Sequence, residues 1–158
     1  MNPIERILCP VDFSEPSLTA FEYAKGFAGA VGADLIILNA FAMPASYDQA
    51  GQRIPANPDV MQQLQSLAET ADDINVSCMG HAGLADEVIC WAAEDKGCQL
   101  IIMGTHGRSG LKHLLFGSTA EAVLRNARCP VMAIREQKKN AKKLEEPTVM
   151  PLPAPRYL

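Results

Sequence analysis

Short aliphatic runs alternate with longer stretches of helical period along this chain, the rhythm of a parallel sheet covered by helices on both faces. Five runs read as strands: Ile4 to Val11, Asp34 to Phe41, Ile74 to Met79, Leu100 to Gly104 and Pro130 to Arg135. Between the first two, Leu18, Phe21, Ala24, Ala28 and Val31 recur at spacings of three and four. A Ser14-Glu15-Pro16 entry and a Gly32 exit bound that stretch, predicting a helix with a core-facing stripe. A second helix carries Val60, Leu64, Leu67 and Ala71 on one face, and a third runs through Ala85, Val88, Ile89 and Ala92 to a stop at Gly97. A fourth opens at Ser118 and turns Ala120, Val123, Leu124 and Ala127 inward. The segment after Phe41 holds Pro44, Gly51, Pro55 and Pro58 among polar residues and reads as a surface loop, a candidate flap. His81 reads as a loop residue after the third strand.

Length makes this one domain: 158 residues with 48% hydrophobic and 20% charged positions can bury a single core, and two domains would each be too thin. The core is complete by Arg135, so the domain is expected over 1–136. Residues 137–158 form a tail of four lysines (Lys138, Lys139, Lys142, Lys143) followed by prolines, a composition that cannot offset its ordering entropy and predicts disorder. A solvated linker explains this tail more simply than a phosphate, membrane or partner contact. No apolar run approaches the roughly 18 residues of a membrane span, and the first residues have no signal-peptide pattern. The five scattered cysteines lack any C-x-x-C pair, which argues against a disulfide framework or structural zinc and for a reducing, cytoplasmic setting. A net charge of −4 makes nucleic acid a poor default partner.

The chemistry concentrates between Gly104 and Thr119, where Gly104-Thr105-His106-Gly107-Arg108-Ser109-Gly110 continues through Phe116 to Gly117-Ser118-Thr119. This segment joins a buried strand to a helix. Glycines there let the backbone take positive φ and approach a ligand, so that consecutive N–H groups point at phosphate oxygens. The following helix adds its unpaired first-turn amides and the positive end of its dipole, with the Ser118 and Thr119 hydroxyls beside them. A structural alternative competes: Ser118-Thr119-Ala120-Glu121 is also a capping box. Capping explains Ser118 but not Gly104, Gly107, Gly110 and Gly117 together. Neither G-x-x-x-x-G-K-[ST] nor G-x-G-x-x-G is present, so a Walker-type NTPase and a dinucleotide fingerprint are both unsupported.

The spacing Gly104, two residues, Gly107, nine residues, Gly117-Ser118 resembles the nucleotide-binding signature of ATP-binding universal stress proteins of the UspA-like type. Ile7-Leu8-Cys9-Pro10-Val11-Asp12-Phe13-Ser14 is similar to that family's first strand and acidic turn, and Cys129-Pro130-Val131-Met132-Ala133-Ile134 to its last strand. The likeness runs from about residue 4 to 135. It implies an open five-stranded parallel sheet in the order 3-2-1-4-5, a Rossmann-like fold of the adenine nucleotide alpha hydrolase type, with ligand bound at the crevice between the first and fourth strands. Asp12 and Gly104 should then face one pocket. By the same resemblance, Asp12 accepts from the adenine amine or a ribose hydroxyl, although a turn carboxylate before the helix is its simpler structural role. Ala40 offers its backbone to the adenine edge, and Pro10, Val11 and Met103 form apolar walls. Gly104, Gly107, Gly110, Gly117, Ser118 and Thr119 would hold the phosphates, with Arg108 a candidate for direct contact. Pro10 forfeits a ladder hydrogen bond, so pairing should end near it. The resemblance further implies a homodimer through Val131, Met132, Ala133 and Ile134, and Mg²⁺ accompanying the triphosphate. The chain departs from the family pattern at Cys98-Gln99, where relatives carry an acidic residue, in a short segment around the second helix, and in its tail.

The expected activity is regulatory nucleotide binding in a stress response rather than turnover, because no residue presents itself to position a water or act as base. A slow ATPase or nucleotidyl-transfer enzyme using His106 or Asp12 is one rival, and a dimeric interaction module that binds no nucleotide is another. His106, Lys112 and His113 project from the loop without an accompanying carboxylate or cysteine, so neither a catalytic nor a metal role is assigned to them. Trp91 suits packing, and Cys9 is the thiol whose reactivity merits testing.

Overall fold

The computed structural model describes residues 3–41, 58–106 and 116–135. The strands are β1 (Arg6–Pro10), β2 (Asp34–Phe41), β3 (Val76–Ala82), β4 (Leu100–Gly104) and β5 (Val131–Ile134). The helices are α1 (Glu15–Val31), α2 (Pro58–Ala68), α3 (Ala85–Asp95) and α4 (Ser118–Asn126). All strand pairs are parallel, in the order β3-β2-β1-β4-β5. This is the doubly wound sheet expected from the alternation of runs.

The central strands are apolar at consecutive positions because both of their faces are covered. Ile7, Cys9, Leu35, Ile37 and Ile102 enter one core with Phe21, Ala24 and Ala28 of α1 and Leu64 of α2. Leu8, Ile36, Leu38, Ile101 and Met103 enter the other with Val88, Ile89 and Ala92 of α3 and Ala120 and Val123 of α4. Alanines on the inner stripe of α1 bring its backbone close to the sheet, and the helix ends at Gly32 with φ 72°. No helix among the described residues is long and apolar enough to cross a membrane.

Several boundaries differ from the sequence reading. The third strand begins two residues later than Ile74 and continues through Gly80, His81 and Ala82, which pair with Asn39, Ala40 and Phe41. Long β2 supplies those partners, and Gly80 fits because a Cβ there would stand 3.0 Å from Met61 Sδ. His81 is therefore a strand residue, with its ring centroid 4.6 Å from that of Trp91. Pro58 opens α2 rather than closing the loop, a position where its missing N–H is harmless. Ala71 is buried but lies past the end of α2. Val31 and Leu124, both expected inside, are 45% and 42% exposed. Val31 is the final residue of α1, and α4 buries only Ala120 and Val123, a stripe too narrow to include Leu124. The tail from 137 and the candidate flap up to residue 57 lie outside the described residues.

Candidate functional site

Strand β1 separates from its neighbours at different points. Against β4 its register stops at Leu8↔Ile101, whereas against β2 it continues to Pro10↔Leu38. One further rung, Val11 N–H to the Leu38 carbonyl at 2.8 Å, follows Pro10. The two strands at the reversal of winding thus part at their carboxyl ends, and a cavity of about 310 Å³ opens there. Its volume is at the lower end of the range for small-molecule sites.

Pro10, Val11 and Asp12 reach this cavity from the end of β1, Ala40 from β2, Met103 and Gly104 from β4, and Gly117, Ser118 and Thr119 from the start of α4. These residues were singled out in the sequence, and they surround one space. Gly107, Arg108 and Gly110 lie outside the described residues, as do Lys112 and His113. The lining also includes Ser17, Leu38, Ala85, Ile89, Thr105, His106 and Ala120. Sequence reasoning did not place the apolar members Leu38, Ala85, Ile89 and Ala120 at the site, because their helical or alternating positions read as core. Ser17 gave a usable signal: it is a polar residue in the first turn of α1, four positions before Phe21 on the core-facing stripe, and it is only 5% exposed.

The acidic turn is closely held. Asp12 Oδ1 accepts from the Ser14 backbone N–H at 3.0 Å and from the Ser14 hydroxyl. The Ser17 hydroxyl donates to the Ser14 carbonyl at 2.9 Å and accepts from the Asp12 N–H at 3.3 Å. Asp12 therefore performs the turn role and lines the cavity at the same time. Phe13, between them, has φ 63°, a left-handed conformation uncommon for a residue with a bulky side chain. The buried Asn39, which the sequence reading did not single out in the run LIILNAF, donates from Nδ2 to the Val11 carbonyl at 2.7 Å. A polar residue inside an aliphatic strand was its signal.

On the opposite side, Gly117 is the N-cap of α4, with φ −72° and ψ 159°, and its N–H donates to the Thr105 carbonyl at 2.7 Å. Ser118 is consequently the first helical residue. The capping box does not form, and Glu121 instead pairs with Arg125 at 2.8 Å. The positive-φ argument is also corrected at two glycines, since neither Gly104 nor Gly117 is in the left-handed region. Gly104 is required by packing: a Cβ would stand 2.9 Å from the Pro16 carbonyl oxygen in the first turn of α1. Ser118 and Thr119 thus stand with the first-turn amides of a nine-residue helix at the cavity. The Thr105 hydroxyl lies 3.0 Å from His106 Nδ1.

Cys9 is fully buried, and that burial pushes its thiol up to about 12, so it is not a reactive group. Burial likewise raises Cys98 to about 11. Among the described residues, no group of three His, Cys, Asp or Glu side chains could hold a metal ion.

Residues 3–135 match the universal stress protein family. A universal stress protein of Methanocaldococcus jannaschii is 29% identical, over 87% of this chain and 86% of that protein. A universal stress protein A homolog of Coxiella burnetii is 35% identical, over 72% of this chain and 82% of its own length. Among solved structures, UspA from Lactobacillus plantarum superposes with a TM-score of 0.70 at 26% identity, covering 85% of this chain and all of that one.

Proposed function

The chain belongs to the universal stress protein family, and on that premise we propose that its cavity holds an adenine nucleotide, ATP, as the basis of a regulatory role in a stress response. The observation that carries this reading is the chemical polarity of the cavity. Apolar Pro10, Val11, Ile89 and Met103 suit a purine, while Ser118, Thr119 and the N-terminus of α4 suit phosphate oxygens. Two family structures, at 20% and 15% identity, are described as complexes with cAMP and with dAMP.

Within this reading the base lies against the apolar walls, with its Watson–Crick edge toward the Ala40 main chain. Asp12, whose carboxylate can accept about four hydrogen bonds, takes a ribose hydroxyl in an orientation already set by Ser14. The phosphates extend toward Gly117, Ser118 and Thr119, away from the Asp12 charge, with Gly107, Arg108 and Gly110 completing the cradle. Mg²⁺ would accompany the bound triphosphate and offset its charge. The nucleotide is bound rather than turned over, in the cytoplasm, by a homodimer formed along the last strand.

Denaturing freshly purified protein and identifying released nucleotide, followed by calorimetry with Mg·ATP, tests the reading. Gly117→Val is the control. A β-region backbone tolerates valine at that position, so the fold should persist at a capping cost of about 1 kcal/mol, while added bulk at the phosphate end should abolish the heat of association. Full-strength binding by the variant, or no binding by the natural chain, would refute the site.

A further inference from the structure

Past the Val11 N–H, the parallel ladder between β1 and β2 does not continue as a backbone ladder. The Leu38 carbonyl accepts from Val11 N–H at 2.8 Å, so the main chain of Leu38 faces β1. The Phe41 carbonyl instead accepts from Gly83 N–H at 3.0 Å, and Leu35 N–H donates to the Asn75 carbonyl at 2.9 Å, so Phe41 and Leu35 face the β3 side. Strand alternation then turns the main chain of Ala40 toward β1, the side on which the cavity opens. In an uninterrupted parallel ladder the next donor to the Val11 carbonyl would be Ala40 N–H. The 2.7 Å bond from Asn39 Nδ2 occupies that carbonyl instead.

We infer that Asn39 is a positioning residue of the nucleotide site: its side-chain amide takes the Val11 carbonyl in place of Ala40 N–H, leaving the Ala40 main chain to read the base. The inference rests on the reading of the cavity given above. It assigns base specificity to a residue that does not itself line the cavity. A main-chain N–H and C=O side by side match adenine, whose N1 accepts and whose 6-amino group donates. They mismatch hypoxanthine, whose N1–H donates and whose 6-oxo group accepts. Asn39 is 6% exposed, and its removal would leave a carbonyl short of a partner. Ala40 N–H is the nearest replacement donor along the ladder, and if it closed onto Val11 it would be withdrawn from the base.

The test compares ATP with ITP by calorimetry on the full chain. The natural protein should prefer ATP, and Asn39→Leu, confirmed as folded by its melting transition, should lose about tenfold of that preference. An unchanged ATP:ITP ratio in the folded variant would overturn the inference, because a general loosening weakens both ligands alike. If Asn39→Leu does not fold, Asn39→Asp replaces it: its carboxyl donates only when protonated, so the preference should be low at neutral pH and return in acid. A preference independent of pH would again overturn the inference. A natural protein that binds neither nucleotide is a different result, which removes the reading on which the inference rests.

Discussion

At the scale of single residues, burial decides which polar and ionisable groups can act. Cys9 stands next to Pro10 in the strand that leads to the cavity, yet its thiol is enclosed and pushed up to about 12. An unfolded chain ionises the same thiol near its ordinary value of 9.0. Between those two values the unfolded state binds fewer protons than the folded one, so stability falls as pH rises through that window and is unaffected below it. Denaturant unfolding at pH 8 and pH 10 should therefore show a loss at the higher pH that is smaller in Cys9→Ala. Cys98, raised to about 11, contributes in the same sense and leaves a residual slope in that variant. Thiol-specific reagents should leave Cys9 unmodified in the native protein at pH 8.

At the scale of elements, one side chain joins the start of β1 to the turn before β4. Gln99 Oε1 accepts from the backbone N–H groups of Glu5 at 3.0 Å and Arg6 at 2.8 Å, while its Nε2 donates to the Gly97 carbonyl at 2.7 Å. The acidic residue that the family pattern expects here could accept the same two bonds but not make the third. This gives the departure at Gln99 a physical meaning that the sequence could not supply. Gln99→Ala should cost about 1 kcal/mol, because water can reach the freed groups, and Gln99→Glu should recover part of that loss in urea titrations. The strands and helices themselves were largely legible, since a sheet covered on both faces leaves continuous aliphatic runs such as LIILNAF. What was not legible depended on partners. Gly80-His81-Ala82 reads as a turn until β2 is present to pair with it, and Ser118 reads as a cap until the Gly117 N–H is seen on the Thr105 carbonyl. The site was half legible for the same reason: glycines and the acidic turn announce themselves, whereas Ile89 and Ala85 are indistinguishable from core, and Asn39 acts through a backbone atom distant in sequence.

At the scale of the whole molecule, the order of strands leaves β5 at one margin of the sheet, paired among the described residues with β4 alone. Its four residues are all half-buried, intermediate between a core strand and a solvated one. Such an edge is a template for a second chain, which supports the homodimer that the family resemblance implies there. The register shows how to test this without damaging the protomer. The Pro130 carbonyl accepts from Ile101 N–H and the Ile134 carbonyl from Thr105 N–H, each at 3.0 Å, so the even-numbered residues of β5 face β4. Val131 and Ala133 then direct their main chains outward. Ala133→Pro would remove an outward N–H and leave the β4 ladder intact, the situation in which a strand tolerates proline. Sedimentation should find the natural chain dimeric and Ala133→Pro monomeric, with melting of the protomer little changed. Met132→Pro, by contrast, removes an inward donor and should lower stability itself. A dimer that survives Ala133→Pro undiminished would place the seam on side chains or on another surface, because backbone pairing along this edge has only the Val131 and Ala133 N–H groups as outward donors and the variant removes one of them.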